Sequence, residues 1–243
     1  MNLVSDIINK TGHRPWQFPV EEWAYYQEWN HAVFLHFPVR ADLFWGHVPR
    51  RLELDTFDGV AWISVVAFTM NNIRPRWLPS VPLISTFHEV NVRTYVKHKG
   101  VSGVYFLNIQ GAKQLSCFVA RHLSGLPYVF SSMKRNISGS DHEFCCGQSG
   151  EYLNISYSLG EIQDIRSPMD SWLTERYCLY LGNGRTLYRY QIHHEPWQLR
   201  AITINDNNLR LGYDFPGVTL ENLNLAHYSD GVKVLAWKRQ VVL

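Results

Sequence analysis

Polar and apolar residues alternate along residues 87–96, "FHEVNVRTYV". Side chains two positions apart on a strand point to the same face, so Glu89, Asn91, Arg93 and Tyr95 share one face. If that face lines a cavity, Glu89 is a candidate general acid or base and Arg93 a candidate anchor for an anion. If it faces solvent, the pattern describes an ordinary half-exposed strand, and the pattern alone favours this second interpretation.

The spacing of the charged residues limits how they can pair. Glu89 and Arg93 lie roughly 13 Å apart along an extended strand, so each needs a partner from another strand or from a ligand. A second pair of guanidinium groups, Arg74 and Arg76, flanks Pro75 in a proline-rich stretch. They could hold a carboxylate or a phosphate if their loop covered a pocket, and otherwise they are ordinary exposed arginines.

Motifs for metals and cofactors are weak in this sequence. His193 and His194 are adjacent, so on a strand they point to opposite faces and cannot both bind one ion without a bend. No C-x₂-C pair occurs, and Cys117 and Cys178 stand in apolar contexts typical of core thiols. No P-loop, G-x-S-x-G or G-x-G-x-x-G motif follows a predicted strand. We therefore predict neither a metal nor a cofactor.

The elements that must position these residues are mostly strands. The stretch "RLELDTFDGVAWISVVAFTM" predicts two strands joined at Asp58-Gly59, and residues 60–70 are apolar on both faces, as in a strand buried on both sides. The strand that carries Glu89 is predicted to pair with the next one through a turn at Lys99-Gly100. The stretch "IRPRWLPSVP", which contains three prolines, predicts an irregular loop.

Few helices are predicted. In residues 111–124 the spacing i, i+3, i+4, i+7, i+8 predicts a helix with one buried face. The members of that face are Leu115, Phe118, Val119, His122 and Leu123. Ser167 as N-cap and Pro168 as the first helical residue predict a second, short helix.

The last third of the chain again predicts strands, with a hairpin around Asn183-Gly184 and a C-terminal strand in "GVKVLAWKRQVVL". Together these patterns predict a β-rich α+β fold, a large antiparallel β-barrel or twisted sheet with a few peripheral helices.

Length and charge narrow the class of protein. The chain has 243 residues, no internal repeat or linker, and a net charge of +2 from dispersed charged residues. We expect one domain over residues 1–243, with residues 1–13 as an N-terminal extension, and no nucleic-acid partner. No apolar run is long enough for a signal peptide or a membrane span, and four cysteines do not make a disulfide framework, so we expect a cytoplasmic protein without a membrane partner.

Several longer motifs resemble a known family. "FLHFPV", "LELDTFDGVAWISVVAFTMNNIRPR", "FHEVNVRTYV", "GVYFLNIQGA", "ERYCLY" and "HHEPW" are similar to the YqjF-like family of uncharacterised bacterial proteins, over about Arg14 to Trp197. That family is placed in the acetoacetate decarboxylase-like superfamily. The resemblance implies a central antiparallel β-barrel that encloses a small-molecule cavity, with helices packed outside.

The resemblance also implies where a reactive residue would stand. In the decarboxylases a strand with a glutamate, a Gly-x-Tyr strand and a helix ending in Gly-x-Pro precede a pair of lysines, one of which forms a Schiff base with the keto acid. The counterparts here are Glu89, "GVY" at 103–105 and "GLP" at 125–127, but Tyr128 and Val129 replace the lysines. A phenol cannot form an imine, so we predict no Schiff-base decarboxylation.

No other lysine takes that place in the sequence. Lys113 lies at the opposite end of the predicted helix. Lys134 lies six residues beyond Tyr128, roughly 20 Å away if the chain is extended. Tyr128 is expected either to donate a hydrogen bond to a ligand carbonyl or to fill the space that the lysine leaves.

Three interpretations of the site remain open at this point. In the first, the protein binds a small molecule, with anionic carbonyl compounds as candidates, and does not turn it over. In the second, it is a lysine-independent isomerase, dehydratase or lyase with Glu89 as acid or base. In the third, Glu89, Arg93 and Arg176 form a structural ion network. The candidate ligand-binding residues are Arg93, Tyr128, Asn91, Arg76 and Arg176.

One property of Glu89 discriminates between these interpretations. A raised pKa of Glu89 in a closed cavity would favour the enzyme. A fully ion-paired Glu89 would favour binding or a structural role.

Overall fold

The structure is a computed structural model that describes residues 3–147, 150–182 and 186–242. The α-helices in these ranges are α1 (Leu3–Asn9), α2 (Ala41–Phe44), α3 (Pro82–Ser85), α4 (Gln114–Ser124) and α5 (Pro168–Thr174). The strands are β1 (Tyr25–Val39), β2 (Glu53–Leu54), β3 (Ala61–Pro75), β4 (Phe87–His98), β5 (Val101–Gly111), β6 (Val129–Phe130), β7 (Met133–Ser138), β8 (Asp141–Cys146), β9 (Tyr152–Ile162), β10 (Cys178–Gly182), β11 (Leu187–His193), β12 (Arg200–Ile204), β13 (Arg210–Gly212), β14 (Leu225–Ala236) and β15 (Gln240–Val242). No helix in these ranges is long and apolar enough to cross a membrane.

Seven of the strands close into a ring. Their order is β14-β1-β3-β4-β5-β10-β11, and β11 pairs back with β14 at Ile192↔Ala236 and His193↔Leu235. The predicted β-rich α+β class is confirmed, as a large twisted sheet with peripheral helices. The sheet is not wholly antiparallel, because β5 pairs in parallel with both β10 and β6. The helix α4 makes the crossover from β5 to β6 that a parallel pair requires.

The interior of the ring is one hydrophobic core to which all seven strands contribute. Successive side chains of β3 point to opposite sides of the ring wall. Trp62, Val66 and Phe68 belong to the core inside the ring, which we call the inner core. The side chains between them belong to a second core on the opposite face, which we call the outer core. It also contains residues of β8 and β9. The prediction that this strand is buried on both sides is confirmed from Ala61 to Met70. The ring wall therefore separates two cores.

The predicted turn at Lys99-Gly100 is confirmed, with both residues at positive φ between β4 and β5. Asp58 and Gly59 also have positive φ, as a type I′ turn requires. The hairpin predicted there is wrong in its extent, because only Phe57 and Val60 pair across the turn while β2 pairs with β4. The proline-rich loop begins further along the chain than predicted, because β3 continues through Pro75 and still pairs with β1 there.

The helix α4 is confirmed, but its predicted buried face is wrong. Leu115, Phe118 and Leu123 are 50%, 59% and 57% exposed, whereas the buried residues of α4 are Ser116 and Cys117. The helix lies on β5 at Gly111, where an added Cβ would come within 2.6 Å of the Cys117 sulfur. Small residues at this contact let the helix approach the sheet closely, and the larger apolar side chains are left outside.

The remaining predictions concern the second half of the chain and its N-terminus. The short helix α5 has the predicted cap, since Ser167 and Asp170 form a reciprocal capping box. The turn predicted at Asn183-Gly184 lies outside the described residues, although β10 and β11 on either side pair as expected. The predicted C-terminal strand is two strands, with a break at residues 237–239.

The N-terminal segment is held against the ring. Ile7 of α1 is buried beside Trp237, and the Ile7 carbonyl lies 3.0 Å from Nε2 of His193. The extent of the domain, residues 1–243, and the status of residues 1–13 as an extension stay predictions.

Candidate functional site

The face of β4 that carries alternating polar residues points into the ring. Glu89, Asn91 and Arg93 are 3%, 3% and 8% exposed and line one cavity, and Tyr95 is fully buried beside them in the inner core. The solvent-facing interpretation of this strand is therefore wrong. The opposite face, with Val90, packs into the outer core. The alternation of residues along β4 identifies which side chains share a face. Which of the two faces meets solvent is determined only by closure of the ring.

The cavity has a volume of about 340 Å³. Most of its lining is apolar and aromatic, and the polar groups of β4 form one wall, as is typical of small-molecule sites. Its aromatic residues besides tyrosines are Trp29, Phe34, Phe68, Phe106, Trp197 and Trp237.

Glu89 is held by two neutral hydrogen-bond donors. The Tyr128 hydroxyl donates to Oε2 at 2.9 Å, and the Asn91 side-chain amide donates to Oε1 at 3.2 Å. No ion pair to Glu89 occurs within residues 3–147, 150–182 and 186–242. Burial raises the pKa of Glu89 to about 7, although both hydrogen bonds act in the opposite direction.

The end of α4 places Tyr128 beside this carboxylate. Gly125 adopts the left-handed conformation of a helix C-cap, and its N–H donates to the Arg121 carbonyl. Arg121 in turn donates from its guanidinium to the carbonyl of Tyr128. The hydroxyl of Tyr128 remains protonated, because burial and the negative charge of Glu89 raise its pKa well above the ordinary value.

Arg93 is a buried cation without a carboxylate partner among the residues that the structure describes. One of its terminal nitrogens donates to the Leu173 carbonyl at 3.3 Å, and its guanidinium carbon lies 5.7 Å from the centre of the Phe34 ring. Its Nε has no hydrogen-bond partner there. A guanidinium that lines a cavity and has no carboxylate partner among the described residues can bind an anion there.

Arg176 also lines the cavity, but its charge is compensated. It pairs with Asp55 at 2.6 Å, and Asp55 also pairs with Lys97 at 2.7 Å. The predicted network of Glu89, Arg93 and Arg176 is therefore wrong, because Asp55 and not Glu89 is the acidic partner. Arg176 supports the wall between α5 and β2.

Arg76 lies away from the other candidates and does not line the cavity. Its guanidinium pairs with the exposed Glu22 at 2.7 Å and lies over the rings of Trp23 and Trp77. The structure thus brings together Glu89, Asn91, Arg93, Tyr128 and Arg176 and separates Arg76 from them.

The sequence analysis missed other residues of the cavity. His194 and Trp197 come from the "HHEPW" motif, where His193 points away from the cavity toward α1, as expected for adjacent residues. Lys238 and Arg239 lie in the break between β14 and β15, are exposed, and line the cavity. The motif "HHEPW" could have drawn attention to His194. No sequence signal marks the break that contains Lys238 and Arg239, because "GVKVLAWKRQVVL" has the composition of a continuous strand.

The lysines weighed from the sequence do not reach Glu89. The amine of Lys113 donates to the Leu83 carbonyl at 3.3 Å, and Lys134 is an exposed residue of β7. Among the described residues, Lys238 is the lysine in the cavity lining. In the same part of the chain, no group of three or more His, Cys, Asp or Glu residues could hold a metal ion.

Comparison with solved structures defines the class of protein. Acetoacetate decarboxylase from Legionella pneumophila matches with a TM-score of 0.61 and 13% identity, over 98% of this chain and 95% of that chain. MppR, an enduracididine biosynthesis enzyme solved as a complex with pyruvate, matches with a TM-score of 0.59 and 11% identity, over 96% and 94%. At these identities the likeness shows the fold, which is acetoacetate decarboxylase-like.

Sequence comparison defines the family. Residues 26–233 match the model of the DUF2071 family, described as "Uncharacterized conserved protein (COG2071)". The uncharacterized protein YqjF of Bacillus subtilis (strain 168) is 36% identical over an alignment of 226 positions, and the alignment covers 88% of this chain and 91% of that protein. The chain belongs to the DUF2071 family, and its predicted resemblance to YqjF-like proteins is confirmed.

Proposed function

We propose that the protein binds a small anionic carbonyl compound in this cavity and exchanges a proton with it through Glu89. The observation that carries the proposal is a buried carboxyl group at a cavity wall, with a pKa of about 7 and no ion pair to any residue that the structure describes. A carboxyl group with such a pKa can both give and take a proton near neutral pH. This favours the lysine-independent enzyme over binding without turnover.

Arg93 would bind the anionic group of the ligand. It is buried, has no carboxylate partner among the described residues, and lies on the same face of β4 as Glu89. Arg176 is a weaker candidate because Asp55 already accepts from it. A ligand whose carboxylate binds Arg93 would lie along the same polar wall of the cavity that carries Glu89 and Asn91.

The proposed step moves one proton and one electron pair. The Glu89 carboxylate takes a proton from the carbon next to the ligand carbonyl, and the C–H electron pair becomes the C=C bond of an enolate. Arg93 stabilises the negative charge on the enolate oxygen. Return of the proton to another carbon gives an isomerase, and departure of a leaving group gives a dehydratase or lyase.

Binding without turnover stays the second candidate, because one specific observation favours it. Both oxygens of Glu89 already accept a hydrogen bond, from Tyr128 and from Asn91. A ligand must displace one of these donors before Glu89 can reach a carbon-bound proton. A cytoplasmic location is part of both proposals.

The experiment follows solvent deuterium into 2-oxo acids by proton NMR, in the presence of catalytic amounts of protein. Pyruvate and 2-oxobutyrate are the first probes, since MppR is a structural neighbour solved with pyruvate. The wild type should accelerate exchange next to the carbonyl, and Glu89→Gln should slow it about 100-fold or more. Glu22→Gln, which removes an exposed carboxylate, is the matched control and should leave the rate unchanged.

Two outcomes would contradict the proposal in different ways. Equal exchange with the wild type and Glu89→Gln would remove Glu89 from the chemistry. Ligand binding that depends on Arg93 but is accompanied by no exchange would establish the second candidate instead.

A further inference from the structure

A second cavity, which we call the annex, adjoins the first. It has a volume of about 150 Å³ and lies between α4, α3 and the end of β3. Its own wall consists mainly of apolar side chains, which are Ile73, Pro75, Ile84, Phe87, Val119 and Ala120. No element of the proposed chemistry uses this space.

Only one layer of side chains separates the annex from the cavity. Met70, Leu126 and Tyr128 are buried and line both spaces, so Tyr128 touches the annex and hydrogen-bonds Glu89 at the same time. At the surface, Leu123 and Ser124 also belong to both linings. The two spaces thus share an inner partition and an outer rim.

The two spaces differ in charge. Among the residues that the structure describes, the cavity has Arg93, which forms no ion pair, while Arg74 is the one charged residue in the annex lining. The Arg74 guanidinium lies 4.9 Å from the ring centre of Tyr26 and donates to the Arg76 carbonyl, so two groups of the protein already engage its charge. An anionic head belongs in the cavity and an uncharged hydrocarbon group in the annex.

We propose that the ligand is an amphipathic carboxylate whose unbranched hydrocarbon tail occupies the annex while its carboxylate binds Arg93. This proposal rests on the proposed function, because it takes the carboxylate on Arg93 as given. The tail leaves the polar wall beside Glu89, passes the shared rim at Leu123 and Ser124, and packs against Val119 and Ala120 of α4. It names a substrate class with a longer hydrocarbon chain than pyruvate and 2-oxobutyrate, the first probes of the exchange experiment.

The experiment measures the Kd of straight-chain 2-oxo acids from four to ten carbons by calorimetry. Each methylene that enters the annex should tighten binding about fourfold until the annex is filled. Ala120→Phe fills the annex and should abolish this gain while leaving the Kd of 2-oxobutyrate unchanged. Leu115→Phe places the same benzyl side chain on the exposed side of α4, at a residue that lines neither space, and should leave the gain intact. Val119→Phe replaces Ala120→Phe if the latter fails to fold.

The results distinguish a failure of the tail site from a failure of the proposed function. A Kd that does not change with chain length, or a gain that persists in the annex-filling variant, overturns the tail site. If Arg93→Met binds every acid as tightly as the wild type, the proposed function itself fails, whatever the chain-length series shows.

Discussion

Glu89 shows how burial changes the role of a carboxylate that has no counter-ion among the described residues. Its neighbours Tyr128 and Asn91 are neutral donors that favour the charged form, yet loss of solvent outweighs them and raises the pKa to about 7. The sequence could name Glu89 and Tyr128 as residues of one site through the resemblance to the decarboxylases, in which the counterparts of these two positions are a glutamate and a reactive lysine. It could not exclude an ion network that includes Arg176, because Asp55, the partner of Arg176 in the structure, lies 121 positions away in the sequence.

A prediction at this scale follows from linkage between protonation and folding. The folded-state pKa of Glu89 lies above its ordinary value of 4.5, so the native state binds more protons than the unfolded state between these values. The stability contributed by the neutral carboxyl is present below about pH 4.5 and is lost as the pH rises through about 7. Between pH 5 and pH 8, the wild type should lose about 2 to 3 kcal/mol more of its unfolding free energy than Glu89→Gln.

Urea unfolding of both proteins at the two pH values measures this difference. Buried histidines with lowered pKa, such as His36 and His194, change stability in the opposite direction, but they are common to both proteins and cancel. Parallel pH profiles of the two proteins would show that Glu89 does not titrate near neutrality.

At the scale of elements, the contact between α4 and β5 determines where Tyr128 stands. The sequence predicted the helix and its C-cap correctly, because capping by Gly125 and Pro127 is a local property. It predicted the wrong buried face, since hydrophobic periodicity assumes that the largest apolar side chains are buried. In this structure, the close approach of α4 to Gly111 determines which face of the helix is buried. The distance between the helix and β5 is set by tertiary packing.

Gly111→Ala tests that contact. The added Cβ would lie 2.6 Å from the Cys117 sulfur, so we expect a loss of about 1 to 3 kcal/mol in unfolding free energy. Gly46→Ala is the matched control, because nothing lies within 4 Å of its added Cβ. Cys117→Ala in the Gly111→Ala background should restore part of the loss, and a double-mutant cycle with zero coupling would contradict the packing account.

At the scale of the whole molecule, closure of the ring makes the cavity. The strand-rich class could be predicted from alternation and turn residues, and the resemblance to the family implied a cavity. The pairings that close the ring, β5 with β10 and β11 with β14, join segments far apart in sequence, and no local pattern encodes them. For the same reason, the positions of Lys238 and Arg239 at the cavity emerge only from the closed ring.

A prediction for the whole molecule concerns Lys238, because this lysine lines the cavity. Tyr128, rather than this amine, contacts Glu89, so borohydride reduction with acetoacetate should leave the mass of the protein unchanged. Intact-protein mass spectrometry measures the outcome. A reduced adduct that maps to Lys238, or to any other lysine, would show that imine chemistry persists.

The most direct test of the account is the titration of the Glu89 carboxyl group by ¹³C NMR in glutamate-labelled protein, with Glu89→Gln to assign the signal. The account predicts a midpoint near 7, and a further rise in Tyr128→Phe, because that variant removes a donor to the charged form. A midpoint near the ordinary value of 4.5 in the wild type would contradict it, since Glu89 would then be a permanent anion without a proton to exchange.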